Sequence, residues 1–463
     1  MSCGTLREQY KKAIQYDKVA FIERPLIGSP AAPAQAETQN RLWYVFGGCW
    51  LVAYEYTRWW KESLALRKAA MLADWSWLEK VRVTGPEAAR LLNYGSVTDL
   101  SKAEEGHIKF IPMVNENGKV ALEGVGVCIS KNDWILSQNG SNVWLNYLRK
   151  LTKMDVKLED VTPDFTVYGL QGPASIDILE AVTGEKFRDL PFNRWRMSKV
   201  NDLVVRICRT GVTGEVGYEF HAPTDTGKAY EIWRAIREVG KPFGLREMGR
   251  RAQEIGHIET GIATGVVDYL PAWTPPEAYT GVVEVDGRRF TRKYLSDEEF
   301  ACRGWEVSEH QCSPYELGFG NMVSFNHDFL GREALLKELR AGGPAHRLVG
   351  LTWNSDDVGE LFAAQFRDEP APPPPDLPKS PSGSFYNKLL KNGEHVGWAT
   401  STGYSPTLRR MISLARIRKD LVEPGTEVSV FWGSFSDEPK WEIRAMVTKL
   451  PFIPQKRKMD LTK

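Results

Sequence analysis

The segment Leu245–Ile258 concentrates side chains that could bind an anion and move a proton. Arg250 and Arg251 are adjacent, and an arginine guanidinium group can hold a carboxylate through two parallel hydrogen bonds. Gln253 and His257 follow four residues apart, so a helix would place them on one face. Because imidazole titrates near neutral pH, His257 is the best proton donor of this segment. Two plainer interpretations stay open, a solvated arginine face and a helix-end histidine bonded to a carbonyl group.

A second informative segment, Arg209–Phe220, carries three glycines. The alternating residues Leu203–Cys208 predict a strand before it, and Gly217–Phe220 predicts a strand at its end. Glycine permits positive φ angles and lets a ligand approach the backbone closely. The segment therefore indicates either a binding turn between two strands or an ordinary hairpin.

Two matched units of a strand, a Gly-Pro turn and a helix stand among the elements that must position these segments. Val81–Val83 precedes Gly85-Pro86, and Tyr168–Leu170 precedes Gly172-Pro173. In both units an apolar pair lies six and seven residues after the glycine, and proline suits the first turn of a helix. The match predicts two related α+β subdomains, unless it reflects only the common way in which helices begin.

The remaining regular elements are less distinctive. Helices are predicted at Arg58–Leu72, Ala229–Val239 and Leu245–Ile258, whereas residues 1–40 and 263–312 show few regular signals.

The C-terminal part of the sequence is predicted to be rich in β-strands. Its strand-like runs predict a barrel or a sandwich, and they are Leu348–Trp353, Val396–Thr400, Glu427–Trp432 and Trp441–Thr448. Residues 370–381 include seven prolines, which excludes a helix and predicts an exposed insertion or linker.

Composition excludes several classes of protein. The chain has 463 residues, enough for two or three domains, and its net charge of +1 does not favour nucleic acid or an anionic membrane as a partner. It has no apolar run of about 18 residues and no apolar signal core near Met1, so we expect no membrane span. Six scattered cysteines without a CxxC pair predict reduced thiols in the cytoplasm, and the lack of a Cys/His cluster or HExxH argues against a protein-held metal.

Seven short motifs occur in one order along the chain, and together they resemble the glycine-cleavage T-protein (aminomethyltransferase) family. They are DWSWLEKVRVTGP at Asp74–Pro86, LQGP at Leu170–Pro173, the run Arg209–Phe220, SPYELGFG at Ser313–Gly320, FLGREAL at Phe329–Leu335, RLVGL at Arg347–Leu351 and TSTGYSPTL at Thr400–Leu408. The resemblance covers roughly residues 55 to 450.

The resemblance implies an α+β fold with three domains around a central hole that holds tetrahydrofolate. The expected first domain combines residues 1–75 and 165–262, and the second combines 76–164 and 263–340. A C-terminal β-barrel-like domain, 341–463, carries the proline-rich insertion.

In this family a glutamate on the strand after the glycine turn grips the pterin ring, and here it is Glu219. A carboxylate can accept parallel N–H bonds from a pterin, which fixes the ring orientation. We expect Tyr168, Val212 and Tyr218 to be further cofactor-binding residues. The plain alternative for Glu219 is an exposed strand carboxylate.

Departures from the T-protein pattern indicate a particular branch of the family. The paired aspartates of T-proteins are replaced by Leu122 and Glu123, and Ala252 stands near the position of a T-protein arginine. The Trp-rich N-terminal half and the segment Glu55–Glu62 are more similar to the tetrahydrofolate-dependent aryl O-demethylases. Relative to the vanillate enzyme, Gln253 replaces a catalytic tyrosine and Trp77-Leu78 replaces a histidine pair.

This resemblance implies transfer of a methyl group from a lignin-derived methoxybenzoate, of the syringate or vanillate type, to N5 of tetrahydrofolate. A phenol is the other product, and His257, Gln253 or Tyr56 is expected to assist the leaving oxygen. Trp75 and Trp77 are expected to line the pocket of the aromatic substrate, and the two arginines of Leu245–Ile258 are expected to bind its carboxylate. A position in the hydrophobic core is the plainer alternative for Tyr56 and for the two tryptophans. Another folate-dependent demethylase, an aminomethyltransferase and a non-catalytic folate-binding protein remain alternatives.

Overall fold

The structure is a computed structural model that describes residues 5–13, 26–38, 43–46, 49–273, 282–285, 288–291, 307–375, 386–433 and 439–462. Its helices in chain order are α1 (Leu6–Ala13), α2 (Ala32–Gln35), α3 (Trp59–Lys68), α4 (Ala88–Gly95), α5 (Ser141–Thr152), α6 (Ser175–Thr183), α7 (Ala229–Gly240), α8 (Arg250–Thr260), α9 (Val307–His310), α10 (Arg332–Arg340) and α11 (Ser355–Ala364).

Its strands are β1 (Ile27–Gly28), β2 (Trp43–Phe46), β3 (Trp50–Ala53), β4 (Met71–Asp74), β5 (Lys80–Thr84), β6 (Ile108–Phe110), β7 (Met113–Val114), β8 (Val120–Leu122), β9 (Val125–Ser130), β10 (Asp133–Ser137), β11 (Lys157–Asp160), β12 (Tyr168–Gln171), β13 (Arg194–Val200), β14 (Leu203–Arg209), β15 (Gly217–His221), β16 (Arg246–Met248), β17 (Val282–Val285), β18 (Arg288–Thr291), β19 (His346–Trp353), β20 (Asn387–Lys391), β21 (Glu394–Ser405), β22 (Arg410–Arg418), β23 (Glu427–Trp432) and β24 (Trp441–Thr448).

Two sheets form the N-terminal two thirds of the molecule. The six-stranded sheet has the order β13-β14-β15-β12-β4-β16, with only the β4–β16 pair parallel, and the five-stranded sheet has the order β11-β5-β10-β9-β6. The six-stranded sheet thus combines β4, which precedes residues 80–160, with β12 to β16, which follow them. The five-stranded sheet is built from residues 80–160 alone. The exact interleaved boundaries, 1–75 with 165–262 and 76–164 with 263–340, stay a prediction.

The two strand–Gly-Pro–helix units adopt the same local structure, as the sequence predicted. Gly85 lies between β5 and α4 with φ of 125°, and Gly172 lies between β12 and α6 with φ of 123°. A Cβ atom on either glycine would stand 2.7 Å from a backbone oxygen, that of Asp155 or of Ala69. Only glycine satisfies both the positive φ angle and this close approach.

The predicted C-terminal β-barrel is confirmed. Six strands close in the order β19-β22-β21-β20-β23-β24 around a core of aliphatic residues such as Leu351, Leu389 and Val430. In the proline-rich segment, residues 370–375 form neither helix nor strand, and residues 376–381 lie outside the described residues.

Two predicted helices were too long. The helix predicted at Arg58–Leu72 ends at Lys68, because Met71 already begins β4. The helix predicted at Leu245–Ile258 is divided into β16 and α8 by Gly249, where a Cβ atom would be 2.3 Å from the carbonyl oxygen of Tyr54. Residues 1–40, predicted to be irregular, include α1 and α2.

Candidate active site

Glu219 lies on β15 in the middle of the six-stranded sheet, with only 8% of its surface exposed. Its neighbours across the sheet are Gly169 on β12 and Cys208 on β14, so the three positions share one face. His221 contacts Oε2 of Glu219 through Nε2 at 2.9 Å, whereas Oε1 makes no hydrogen bond with any described residue. A carboxylate oxygen accepts two hydrogen bonds, so this group retains acceptor capacity for a ligand.

The indole of Trp75 covers the same face. A Cβ atom on Gly169 would stand 2.4 Å from Cζ3 of Trp75, so only glycine allows the ring to lie there. Trp75 is buried, and its indole N–H has no hydrogen-bond partner among the described residues. An indole ring over the strand position opposite a carboxylate with spare acceptor capacity fits a flat ligand that carries N–H donors, such as a pterin.

Val212 and Trp77 belong to the same apolar cluster as Trp75. Val212, from the glycine turn, packs against that cluster half-buried. Trp77 donates its indole N–H to the carbonyl oxygen of Asp74 at 2.9 Å, and the guanidinium group of Arg250 lies 5.3 Å from the centre of its ring. The structure thus places close together four residues that the sequence assigned to cofactor or substrate, namely Trp75, Trp77, Val212 and Arg250.

Tyr168, Tyr218 and Tyr56 lie elsewhere, which corrects their assignment to the site. Side chains alternate along a strand, and the register places Tyr168 and Tyr218 on the face opposite to Glu219. All three tyrosines belong to the hydrophobic core behind the sheet, where the rings of Tyr56 and Tyr168 lie 6.4 Å and 5.3 Å from that of Trp233. They shape the core and do not line the face that carries Glu219.

Helix α8 presents one polar face, as the sequence predicted. Arg250, Gln253, Glu254 and His257 are mostly buried but retain some exposure, while the other side of the helix is fully buried. The side chain of Gln253 makes no hydrogen bond with any described residue, so its amide group is available to a ligand.

Both arginines of this helix already have carboxylate partners. Arg250 forms an ion pair with Glu254 at 2.6 Å, and Arg251 forms one with Glu55 at 3.2 Å. Their charge is therefore largely compensated before any substrate binds. Holding a substrate carboxylate would require these pairs to open or to share their donors.

The electrostatic setting of His257 makes it a weaker acid candidate than the sequence indicated. Burial lowers the pKa of His257, Asp268 and Glu254 oppose this effect, and Arg250 adds to it. Nε2 of His257 contacts the hydroxyl group of Thr264. The imidazole is thus mainly neutral at pH 7 and is better suited to pass or accept a proton than to supply one.

Glu123 is the functional candidate that the sequence left unassigned. It follows β8, is 5% exposed, and contacts the hydroxyl group of Tyr269. Its Oε1 also accepts hydrogen bonds from the backbone N–H of Gly265 at 3.1 Å and from Nε2 of Gln138 at 3.2 Å. Burial raises the pKa of Glu123 to about 7, the hydrogen bonds from Tyr269 and Gly265 oppose the shift, and the negative charge of Asp268 adds to it. A carboxyl group with this pKa can donate a proton at neutral pH.

The dipeptide Thr264-Gly265 connects Glu123 to helix α8. Thr264 contacts His257, and the next residue donates its N–H to Glu123. The same loop is tied to the barrel by Asp268, whose carboxylate accepts hydrogen bonds from Thr264 N at 2.9 Å and from the Thr400 hydroxyl at 2.6 Å. Helix α8, the loop 264–268 and the barrel are therefore connected to Glu123 through hydrogen bonds.

Among the described residues, no group of three or more His, Cys, Asp and Glu side chains is arranged to hold a metal ion. Within the same residues, no helix is both long and apolar enough to cross a membrane.

The chain belongs to the glycine-cleavage T-protein family. It matches the GCVT N-terminal domain over residues 35–284 and the glycine cleavage T-protein C-terminal barrel domain over residues 384–453. Members of this family are folate-dependent transferases, which confirms tetrahydrofolate as the predicted cofactor.

Individual relatives include enzymes with different donors. A sesamin methylene transferase from Sinomonas sp. is 33% identical over 80% of this chain and 83% of its own length. A syringate O-demethylase from Sphingobium sp. is 26% identical over 87% and 90%. The crystal structure of the aminomethyltransferase T of Bartonella henselae superposes with a TM-score of 0.68 over 93% of this chain and 99% of that chain, at 19% identity, which confirms the fold.

Proposed function

We propose that this chain removes a one-carbon group from an aryl ether and transfers it to tetrahydrofolate. For a methoxybenzoate of the syringate or vanillate type, the products would be a phenol and 5-methyl-tetrahydrofolate. The observation that carries this proposal is Glu123, a buried carboxyl group with a pKa of about 7 that is linked through Thr264-Gly265 to the polar face of α8.

The residues around Glu219 fit the cofactor. The carboxylate of Glu219 would accept N–H bonds from the pterin, His221 would orient it, and Trp75 with Val212 would supply the apolar wall. When bound, tetrahydrofolate supplies the nucleophilic nitrogen that accepts the one-carbon group.

Breaking an aryl ether requires help for the leaving oxygen, because a phenolate is a poor leaving group. Protonation of that oxygen by a positioned acid raises the rate by roughly 10²–10⁴-fold. We assign this role to Glu123, with Tyr269 holding its carboxyl group. The free amide of Gln253 can donate a second hydrogen bond to the ether oxygen, and His257 can pass protons along the Thr264 contact.

A second candidate is transfer of a methylene group from a neutral arene. The ion pairs of Arg250 with Glu254 and of Arg251 with Glu55 leave no uncompensated arginine on α8 for a benzoate carboxylate. One of the relatives is named for methylene transfer from sesamin, which has no carboxylate. In this case two C–O bonds would break, and both aryl oxygens would leave as the hydroxyl groups of one catechol, with the two protons that the folate nitrogens lose. The same acid could protonate each oxygen as its bond breaks.

A substrate panel tests both candidates. Syringate, vanillate, 3-O-methylgallate and sesamin would each be incubated with the enzyme and tetrahydrofolate, and phenol release and the folate product would be measured. We expect turnover of at least one arene, and preference for the neutral one would favour methylene transfer. Tight folate binding without turnover of any arene would instead indicate a non-catalytic folate-binding protein.

We also propose the cytoplasm as the location. Cys128, Cys208 and Cys312 are buried thiols without a disulfide partner among the described residues, which fits a reducing compartment.

A further inference from the structure

Lys80, the first residue of β5, is a buried ammonium group with only 2% of its surface exposed. Its Nζ atom lies 2.8 Å from the carbonyl oxygen of Ser76, 2.7 Å from that of Leu78 and 3.4 Å from that of Thr162. An ammonium group has three N–H donors, and here each has one carbonyl acceptor. All three acceptors are backbone atoms, so the ammonium group of Lys80 fixes the backbone and contacts no side-chain acceptor through these bonds.

Two of the three carbonyl groups that Lys80 binds, those of Ser76 and Leu78, belong to the loop between β4 and β5, which carries Trp75 and Trp77. Ser76 and Leu78 flank Trp77 on both sides. The same loop is fixed at its start, because Trp75 N donates to Val167 O at 2.8 Å and Ser76 Oγ accepts from Val167 N at 3.0 Å. Hydrogen bonds from Leu78 N to Trp75 O at 3.0 Å and from Glu79 N to Asn139 Oδ1 at 3.2 Å also hold the far half of the loop. Lys80 adds the donor to the carbonyl oxygens of Ser76 and Leu78.

We propose that Lys80 is a positioning residue for the ligand site, in which its ammonium group holds the Ser76–Leu78 backbone so that the two indoles of the loop face the bound folate and arene. The inference rests on the proposed function, since it takes Trp75 and Trp77 as ligand-contacting side chains. Lys80 itself touches neither ligand. Preorganisation of such a wall by a second layer of residues governs both affinity and geometry.

The surroundings of Lys80 make this support sensitive to pH. Burial lowers the pKa of Lys80 to about 7, and the carboxylates of Asp160, Asp74, Asp164 and Glu79 oppose that shift. The charged and titratable groups that face this region are these four carboxylates together with His221, and with Arg7 of α1, which pairs with Asp164. Above pH 7 the neutral amine keeps two N–H donors for three carbonyl groups, so we expect the loop to loosen as pH rises.

Lys80→Met and Lys80→Arg form a matched pair for the test, because methionine keeps much of the length without donors and arginine keeps the charge at all accessible pH values. The dissociation constant of tetrahydrofolate would be measured by tryptophan fluorescence, together with KM for the arene, kcat and hydrogen exchange of the loop amides. For Lys80→Met we expect both ligands to bind about 10- to 100-fold more weakly, with a smaller change in kcat at saturation.

Two further readouts separate positioning from general stability. Exchange in Lys80→Met should rise in residues 76–80 and not across the β-barrel. In the wild type the dissociation constant of tetrahydrofolate should increase as pH rises through about 7, whereas in Lys80→Arg it should stay flat and close to the wild-type value at pH 6.

The outcomes decide the proposal. Unchanged ligand affinity in a folded Lys80→Met protein would overturn it, as would failure of both variants to fold, because Lys80 would then serve the fold alone. If the wild type itself binds no tetrahydrofolate, the proposed function fails first, and this inference falls with it. If the wild type binds and Lys80→Met does not change the loop exchange, only the role of Lys80 is refuted.

Discussion

Two buried glutamates, Glu219 and Glu123, occupy opposite kinds of environment in one molecule. Glu219 stands on a strand in the middle of a sheet, with His221 on one oxygen and acceptor capacity left on the other. Glu123 is enclosed by donors from three separate segments, namely Gln138, Gly265 and Tyr269. The first arrangement suits a carboxylate that accepts hydrogen bonds from a ligand. At Glu123 the effect of burial outweighs that of the donors, so the carboxyl group can hold a proton near neutral pH.

Two glutamates of similar exposure can therefore differ in their protonation. The balance between desolvation and the surrounding hydrogen bonds sets the pKa, and the remaining acceptor capacity decides whether a ligand can bind. For Glu123, burial raises the pKa to about 7, so a substantial fraction is protonated at neutral pH. Pairs of carboxyl groups with separated tasks are a recurrent solution in enzymes that need both an anion and an acid.

The substitution Glu123→Gln is expected to have the largest effect, and it tests whether Glu123 acts as the acid. The amide keeps the shape but cannot donate a proton as an acid, so kcat should fall by roughly 10²–10⁴-fold while the affinity for tetrahydrofolate changes little. Steady-state kinetics and fluorescence titration check this. Glu316→Gln, at another buried glutamate that bonds Ser313 N, is the matched control and should keep its kcat. Equal kcat values in the two variants would remove Glu123 from the chemistry.

The next effect is expected from Glu219→Gln. An amide offers N–H groups where the pterin also offers donors, so the charge-assisted bonds are lost and the affinity should fall by about 10- to 100-fold, equivalent to about 1.5–3 kcal/mol. At saturating folate kcat should change far less. Tyr218→Phe, one residue earlier but on the other face, should leave the affinity unchanged. Equal affinity in Glu219→Gln and the wild type would refute the pterin assignment.

A moderate effect on the pH profile is expected from Tyr269→Phe. Activity requires protonated Glu123, so the wild-type kcat should be full below pH 7 and be lost as pH rises through about 7. The Tyr269 hydroxyl group lowers the pKa of Glu123, so its removal should raise that pKa and move the descending limb to higher pH. A limb that moves to lower pH in this variant would contradict the assignment of Glu123 as the acid.

The same pKa shift predicts a stability signature. Between about pH 4.5, the ordinary value for Glu, and about pH 7, the folded protein binds more protons than the unfolded chain. Stability should therefore decrease as pH rises through this window, and Glu123→Gln should flatten the decrease. Thermal denaturation at several pH values measures the slope for both proteins, and parallel slopes would argue against a protonated Glu123.

The smallest effect is expected from Tyr56→Phe. Tyr56 packs in the core against Trp233, so loss of its hydroxyl group should change kcat and both ligand affinities by less than about twofold, with a stability change of about 1 kcal/mol. Kinetics and thermal denaturation of this variant check that this core tyrosine is absent from the site. A large loss of kcat at unchanged stability would return it to the catalytic candidates.

Local motifs made the Glu219 side of the site predictable. The glycine turn and the following strand are contiguous in sequence, and Trp75 and Trp77 fall in another contiguous motif. The error over Tyr218 was avoidable, because neighbours on a strand point to opposite faces and Tyr218 therefore could not join Glu219. Tyr168 required the register with β15, which the sequence alone does not specify.

The Glu123 side could not be predicted in the same way. Its three donors lie 15, 142 and 146 residues away along the chain, so only the folded loop 264–269 brings them together. The one available signal was the position of Glu123 itself, which replaces one of the paired aspartates of T-proteins. Likewise, the lowered pKa of His257 depends on burial by tertiary packing, which the helical spacing of Gln253 and His257 does not show.

Transfer of the one-carbon group from an aryl ether to tetrahydrofolate can be followed directly with a labelled substrate. An arene from the panel would carry ¹³C in its ether carbon, and the phenol and the labelled folate would be quantified together over one turnover. We predict equal amounts of phenol and ¹³C-labelled folate, formed only when both arene and tetrahydrofolate are present. Release of a phenol without label on the folate, or no release from any arene although tetrahydrofolate is bound, would contradict the account.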